Sequence, residues 1–417
     1  MKHDRTNDLM PVLIAGCAVI LVSFAIRASF GVFQIPIASE FGWPRSEFSL
    51  AIAIQNLFWG IGTPVFGVVA DRFGARKAIL GGAILYAAGL ILSSFAVHPE
   101  QHYLLEMLVG FGVAGTGFGV ILAVIGRAAS DDNRSIVLGI GTAAGSAGQV
   151  VGPLAADIML RSMPWQSVFL VFAAAILAVM LALPFIRDVS LGGATKSEPM
   201  GSALKTALSD PSYIFIFLGF FSCGYQLGFI TAHFPAFITE ICGPISPTGM
   251  LARIGVTTTS ALGAVAIAVI GLANIFGTFA AGWLGQVYSK KWLLTGLYTM
   301  RTGVAAAFIL TPMTPTTVLL FSMFMGALWL ATVPLTSGLV AQIYGLQYMG
   351  TLYGIVFFSH QLGGFLGVWL GGQMFDAFGD YTLVWWVGVG VGAFSALVHI
   401  PVNEVSILTR KSTLAAS

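Results

Sequence analysis

The chain has 417 residues, of which 57% are hydrophobic and only 9% are charged. A water-soluble domain carries roughly 25% charged residues, because its surface must stay hydrated. A surface that faces lipid has no such requirement, so the composition excludes a soluble globular protein and indicates an integral membrane protein. The chain has 19 basic and 17 acidic residues, a net charge of +2, and no polybasic arm that would indicate nucleic-acid binding.

Twelve stretches are long and apolar enough to cross a bilayer, for which a helix needs about 20 mostly apolar residues. The first follows Lys2 and Arg5 like the core of a signal peptide, but it continues past Arg27 to Pro36 without a convincing cleavage site, so we interpret it as a span. The predicted spans lie at 11–37, 47–70, 78–97, 103–127, 136–160, 165–187, 211–240, 258–287, 291–310, 315–344, 349–376 and 381–401. The sequence therefore predicts an all-α membrane protein with twelve transmembrane helices.

A polar stretch between the sixth and seventh spans divides the chain into two halves of six spans. We predict an N-terminal half over residues 1–187, a cytoplasmic linker over 188–210 and a C-terminal half over 211–417. The three cysteines of the chain have neither the spacing of a disulfide framework nor that of a metal site. No cofactor and no metal is expected.

The two halves share a pattern of glycines at a constant separation of 215 positions. Gly148 and Gly152 of span 5 recur as Gly363 and Gly367 of span 11, and the same offset relates the ends of spans 2 and 8. One offset in two separate regions favours a duplication. Duplicated six-helix halves with a substrate site between them at mid-membrane are typical of secondary transporters.

The distribution of basic residues predicts the orientation in the membrane. With both termini in the cytoplasm, 14 of the 19 lysines and arginines lie in cytoplasmic segments, three lie in outer loops and two lie inside spans. Cytoplasmic loops are enriched in lysine and arginine, so this orientation in the cytoplasmic (inner) membrane is strongly favoured.

The loop between spans 2 and 3, residues 67–77, carries the most specific motif of the sequence. It combines Gly67, Asp71, Arg72, Gly74 and Arg76 in the order glycine, three residues, Asp-Arg, any residue, glycine, and then basic residues. Gly67 permits a close helix approach and Gly74 turns the chain. The acidic side chain of this loop is expected to face the positive N-terminal end of another helix, span 11.

This loop resembles the signature loop of the major facilitator superfamily, and the resemblance in spans and repeats covers the whole chain. It implies the major facilitator fold and a conformational latch, formed by the five named loop residues, which releases as the two halves rock. The alternative is a basic loop that serves only to orient the chain in the membrane. In the second half Gln286 stands where the aspartate is expected, which implies a one-sided latch.

Two short segments, residues 27–31 and 359–364, resemble bacterial relatives of the monocarboxylate and oxalate–formate carriers. Proton-driven drug exporters of the superfamily carry an arginine in span 4 where this chain has Glu106. The resemblance also fails at one place, because Thr278 stands where these anion carriers have an arginine in span 8. One half of the expected anion clamp is therefore missing.

Arg27 is the first candidate for binding an anionic substrate. A charge at mid-bilayer costs roughly 2.5–3.5 kcal/mol, so it should face a cavity or a partner. A planar guanidinium binds a carboxylate through two parallel hydrogen bonds. The alternative is a structural pair with a helix-end carbonyl or with a buried acid such as Asp157.

Four residues are candidates for carrying a coupled proton: His360, His233, Asp157 and Glu106. Histidine changes its charge near neutral pH and also hydrogen-bonds anions, so His360 in span 11 and His233 in span 7 are candidates for substrate binding as well. Each histidine has the alternative of being a neutral packing residue.

The remaining candidates for the substrate site are polar residues inside spans. Arg301 lies near the middle of span 9. It either binds substrate or forms hydrogen bonds with the backbone or with Asn274. The others are Gln361, Asn274, Tyr225 and Gln55, and each of these side chains is also suited to hydrogen bonds between helices.

The sequence favours a carrier that moves a small organic anion, a monocarboxylate, by alternating access and with proton symport. An exporter of drugs or hydrophobic compounds by proton antiport is the alternative, supported by the glycine-rich span 5 and the 12% aromatic content. No motif of enzyme chemistry appears. The expected partners are the anion, protons and the lipid bilayer, and the chain is expected to act as a monomer.

Overall fold

The computed structural model describes residues 6–42, 45–160, 162–186, 199–253 and 255–416. In these ranges the chain forms helices and connecting turns, without a β-strand. Twelve helical segments are long and apolar enough to cross a membrane, which confirms the predicted all-α architecture. The spans are helical because in lipid each backbone polar group must be bonded within its own segment.

The helices agree with the predicted spans to within a few residues at most ends. In chain order the spans comprise Thr6–Phe41, Arg45–Phe73, Ala75–Ser93, Pro99–Thr116 with Phe118–Ala128, Arg134–Leu160, Trp165–Ala178 with the 3-10 helix Val179–Phe185, Pro211–Ile241, Thr259–Val287, Lys290–Leu310, Pro315–Leu328 with Thr332–Tyr344, Met349–Phe378, and Thr382–His399. Shorter helices lie at Met200–Leu208, Met250–Arg253 and Ile407–Ala416.

Spans 4 and 10, predicted as continuous, are each broken near the middle. Span 4 breaks at Gly117, where an added Cβ would lie 2.6 Å from the Val113 carbonyl oxygen. Span 10 breaks between Leu328 and Thr332, which frees backbone groups inside the bundle. These groups are bonded by side chains of neighbouring spans, as buried backbone in a membrane protein requires.

The glycine repeat has a structural counterpart within each half. Gly148 and Gly152 place span 5 so close to span 1 that a Cβ on either would overlap a backbone oxygen of span 1. Gly363 and Gly367, 215 positions later, place span 11 against span 7 in the same way. The two halves therefore repeat one packing arrangement, which small residues make possible in membranes.

The halves meet each other through spans 2 and 11 and through spans 5 and 8. Gly67 lies against the backbone of Gly350, and a Cβ on Gly139 would lie 2.9 Å from the Cα of Gly282. Both contacts lie at the end of the bundle that carries the loop 67–77, which we call the loop face. The two halves are thus joined at the loop face.

The predicted linker lies only partly within the described residues. Its first part, up to residue 198, is outside them, whereas Met200–Leu208 forms a short helix that leads into span 7. Asp210 caps span 7 and forms an ion pair with Arg410 of the C-terminal helix, with 3.0 Å between Nη2 and Oδ2. This pair fastens the C-terminal segment to the loop face. The division into domains at 187 and 211 stays a prediction.

Candidate functional site

Arg27 is held inside the N-terminal half by two neutral residues of span 2. Its Nη2 donates to Oδ1 of Asn56 at 2.7 Å, and its guanidinium carbon lies 4.6 Å from the ring centroid of Trp59. The Nε atom is buried without a hydrogen-bond partner. No ion pair with an acid occurs among the side chains that the structure describes, and the side chain of Asp157, the alternative partner, lies outside them.

A buried acid lies on span 4 of the same half. Glu106 is fully buried, its Oε2 accepts from Nε2 of Gln55 at 2.6 Å, and its Oε1 lacks a donor among the described residues. Gln55 is the residue before Asn56, so consecutive amides of span 2 contact the acid and the arginine. Tyr86 of span 3 lies beside them, and its hydroxyl donates to the carbonyl oxygen of Ser23, one turn before Arg27 in span 1, at 3.2 Å.

An aromatic bridge connects Arg27 to the C-terminal half. The ring centroids of Trp59 and Phe357 lie 5.1 Å apart. Phe357 in turn stacks on His360, with 5.1 Å between ring centroids and 10° between the planes. Phe220 covers the imidazole from span 7 at 4.9 Å. Both ring nitrogens of His360 are buried without hydrogen-bond partners in the described part of the chain. The predicted residues Arg27 and His360 therefore lie on opposite sides of one aromatic cluster.

Gln361 lies where spans 2 and 11 cross. A Cβ on Gly60 would lie 2.6 Å from the Cβ of Gln361, and Nε2 of Gln361 is buried with no partner in the described ranges. Span 11 thus presents two polar side chains, His360 and Gln361, close to the plane in which the halves touch.

Arg301 is fully buried inside the C-terminal half, at the break in span 10. Its Nη1 donates to the carbonyl oxygen of Trp329 and to Sγ of Cys223, each at 3.2 Å, and its guanidinium carbon lies 5.9 Å from the centre of the Tyr298 ring. Its Nε and Nη2 atoms have no partner among the described atoms. The arginine therefore bonds the backbone that the broken helix leaves open, as one of its two predicted roles requires.

Asn274 links the two halves at mid-membrane. Its Nδ2 donates to Oγ of Ser146 in span 5 at 2.8 Å, and its Oδ1 accepts from the backbone nitrogen of Leu330 at 2.9 Å. Both ends of the amide are therefore engaged in contacts between helices.

His233 and Tyr225 bond the backbone of their own half. Nε2 of His233 lies 2.8 Å from the carbonyl oxygen of Val368, and the Tyr225 hydroxyl donates to that of Val384 at 3.4 Å. The structure does not bring these two side chains into the cluster around Arg27, as far as the described contacts extend.

The loop aspartate contacts both halves. Oδ1 of Asp71 accepts from Nη1 of Arg127 at 2.8 Å, and Oδ2 accepts from the backbone nitrogen and from Oγ1 of Thr351, each at 2.8 Å. Thr351 lies in the first turn of span 11, where the positive end of the helix dipole favours an anion. Arg127, at the end of span 4, was not among the predicted latch residues. Nothing in the sequence pattern indicates this pair, because its two residues lie 56 positions apart.

The remaining residues of the loop motif, Gly74, Arg76 and Arg72, lie within or beside the N-terminal half. Gly74 has a φ of 97°, which favours glycine, and precedes the first turn of span 3. Arg76 donates to the carbonyl oxygens of Ile186 and Pro184 at the end of span 6, within its own half. Arg72 is exposed.

Twelve membrane-spanning segments in two repeated halves, with charged side chains buried inside each half, are typical of a secondary transporter. A family model of the Major Facilitator Superfamily matches residues 15–244, which is more than half of the chain. The chain therefore belongs to the Major Facilitator Superfamily, a family of transporters and not of enzymes.

Known relatives agree with this assignment. Monocarboxylate transporter 13 of Bos taurus is 27% identical over 364 residues, which cover 86% of this chain and 81% of the relative. The uncharacterized MFS-type transporter YcxA of Bacillus subtilis is 25% identical over 392 residues, covering 90% of each chain. The proton:xylose symporter XylE superposes with a TM-score of 0.73 at 14% identity, covering 98% of this chain and 99% of that chain, and shows the same fold.

Proposed function

We propose that this protein carries a small organic anion, a monocarboxylate, across the cytoplasmic membrane by alternating access and together with a proton. The observation that supports this most is the state of Arg27: a buried cation held by an amide and an indole. Neutral partners leave its charge available to a carboxylate, which a guanidinium binds through two hydrogen bonds.

The relatives support the substrate class. Several are named monocarboxylate transporters, in mammals and in Xenopus laevis. Titratable side chains inside the spans support a coupled proton. The candidates to bind it remain His360, His233, Asp157 and Glu106. A monocarboxylate that moves with one proton adds no net charge, which lowers the cost of crossing the hydrocarbon region.

In alternating access, the contacts between the halves at the loop face would close the site on that side. The halves 1–187 and 211–417 would rock as units about the site, and the contacts of Asp71 with Thr351 and of Gly139 with Gly282 would break when the site opens to the loop face. By the distribution of basic residues this face is cytoplasmic, and both termini lie there. The protein is proposed to act as a monomer in the bilayer.

A thermal-shift screen of the purified protein tests the substrate class. We expect acetate, lactate, pyruvate or benzoate to raise the melting temperature, because a ligand that binds only the folded state stabilises it by mass action. Arg27→Lys should weaken this shift, since the charge stays and the two-pronged geometry is lost, and Arg27→Gln should abolish it. Arg253→Gln, at the exposed end of the short helix Met250–Arg253, is the matched control.

Two outcomes of this screen would contradict the proposal. Stabilisation by hydrophobic cations and not by carboxylates would identify an exporter of hydrophobic compounds. Stabilisation by a carboxylate that is unchanged in Arg27→Gln would exclude Arg27 from the binding site.

A further inference from the structure

We infer that Glu106 binds the coupled proton, and that Gln55 and Asn56 connect its charge state to the anion site at Arg27. This inference rests on the proposed function, because it assigns the proton partner of the same substrate site. It selects one of four candidates on the basis of contacts and burial.

The carboxyl group of Glu106 has one bonded and one unbonded oxygen. Oε2 accepts from Nε2 of Gln55 at 2.6 Å, whereas Oε1 is buried without a donor among the described residues. A buried polar atom without a hydrogen bond costs free energy, and more so when it is charged. A proton on Oε1 occupies the vacant position and removes the charge, while Gln55 continues to bond Oε2.

Span 2 connects this acid directly to the arginine. Gln55 and Asn56 are consecutive, and successive residues of a helix point about 100° apart, so one amide faces span 4 and the other faces span 1. Oδ1 of Asn56 accepts from Nη2 of Arg27 at 2.7 Å. Gln55 and Asn56 lie in one turn of span 2, so a shift of this turn changes the contact with Glu106 and the contact with Arg27 together.

The charged and titratable groups around Glu106 come from spans 1 and 3 and from its own helix. Span 1 contributes Arg27, span 3 contributes Tyr86, and His102 lies one turn earlier in span 4. Span 2 contributes the two neutral amides. Arg27 is the permanent cation of this group, so the charge on Glu106 determines whether the group is net positive or neutral.

This arrangement makes proton and carboxylate bind together. With Glu106 protonated, the charge of Arg27 is uncompensated and attracts a carboxylate. When the proton leaves Glu106 as H⁺, the new carboxylate compensates Arg27 and the affinity for substrate falls. By reciprocity the bound carboxylate must strengthen proton binding at Glu106 by the same factor.

The histidines are placed less well for this coupling. Trp59 and Phe357 lie between Arg27 and His360. His233 bonds the backbone of Val368 in the other half. In the described ranges neither histidine hydrogen-bonds a residue next to Asn56, the partner of Arg27, whereas Glu106 bonds the adjacent Gln55.

The test uses the full chain in proteoliposomes, with lactate and benzoate as probes. Wild-type affinity should weaken about tenfold once the pH rises above the range in which Glu106 holds its proton. In Glu106→Gln, which keeps an oxygen that can accept from Gln55, affinity should be independent of pH. Uptake against a gradient should be lost and exchange of internal for external carboxylate should persist. Glu100→Gln, the same change at an exposed position of the same helix, should behave as wild type.

Infrared spectroscopy of the protein without substrate provides a second, independent readout. A protonated-carboxyl band should be present in wild type, absent in Glu106→Gln and retained in Glu100→Gln.

Two results would overturn the assignment: Glu106→Gln still accumulates either probe with wild-type pH dependence, or no band depends on Glu106. If the proposed transport of carboxylates is wrong, the results differ from both of these. In that case no carboxylate binds wild type, while the infrared titration still decides whether Glu106 binds a proton.

Discussion

Asp71 and Thr351 are joined by two hydrogen bonds of 2.8 Å across the boundary between the two halves, one from the backbone nitrogen and one from the hydroxyl of the threonine. They lie 280 positions apart in the sequence. The second oxygen of the same carboxylate binds Arg127 of its own half. One buried side chain therefore fastens span 2 to span 4 and to the first turn of span 11.

Asp71→Asn should weaken the loop-face contact without unfolding the protein. The amide can still accept from Thr351, but the favourable interaction of an anion with the helix end, about 0.3–1 kcal/mol and up to about 2 kcal/mol when partly buried, is lost. Arg127 also loses its counter-charge. We expect more frequent opening at the loop face and a changed transport rate.

A cysteine at buried Ser135, which lies next to Gly285 on the loop face, can report this opening. Its labelling by a thiol reagent, corrected for the native cysteines, should increase in Asp71→Asn. Wild-type labelling together with a wild-type transport rate would remove the latch role.

Gly139→Ala should destabilise the state in which the loop face is closed. The added Cβ would lie 2.9 Å from the Cα of Gly282, so spans 5 and 8 must separate slightly. Gly296→Ala is the matched control, because an added Cβ meets nothing within 4 Å in span 9. We expect increased labelling at position 135 only in the first variant. Equal labelling in both variants would show that this glycine contact does not limit opening.

Arg27→Gln distinguishes a substrate ligand from a structural ion pair. If Arg27 binds substrate, the variant should fold normally and bind no carboxylate. If it pairs with Asp157, the variant should lose roughly 3–5 kcal/mol of stability, because an unpaired buried charge remains. In that case Arg27→Gln combined with Asp157→Asn should recover stability. Melting temperature and carboxylate affinity measured on the same variants decide between the two roles, and we expect the first.

His360→Phe should preserve both stability and the pH dependence of uptake. The imidazole stacks on Phe357 and contacts the tilted ring of Phe220, and its nitrogens have no hydrogen bonds in the described structure. A phenyl ring therefore fits the same contacts. Uptake of lactate measured across about pH 5 to 8 checks this. Loss of accumulation against a gradient in this variant, with Glu106 intact, would move the coupling role to the histidine.

The sequence by itself determined the twelve spans, the duplication and the position of the loop motif, because each depends on local properties. Hydropathy over about 20 residues identifies a span wherever it packs, since lipid demands it. The common offset of Gly148 with Gly363 and of Gly152 with Gly367 is visible in the sequence alone, and the structure explains it by close helix contacts.

Tertiary structure alone decided which polar side chains meet. Gln55 and Asn56 look alike in the sequence, yet one contacts Glu106 and the other Arg27, because the rotation of span 2 directs them to different helices. The break in span 10 that engages Arg301 has no signal in hydropathy, since a broken span remains as apolar as a continuous one. Contacts between residues far apart in the chain depend on helix rotation and depth, which one-dimensional patterns do not record.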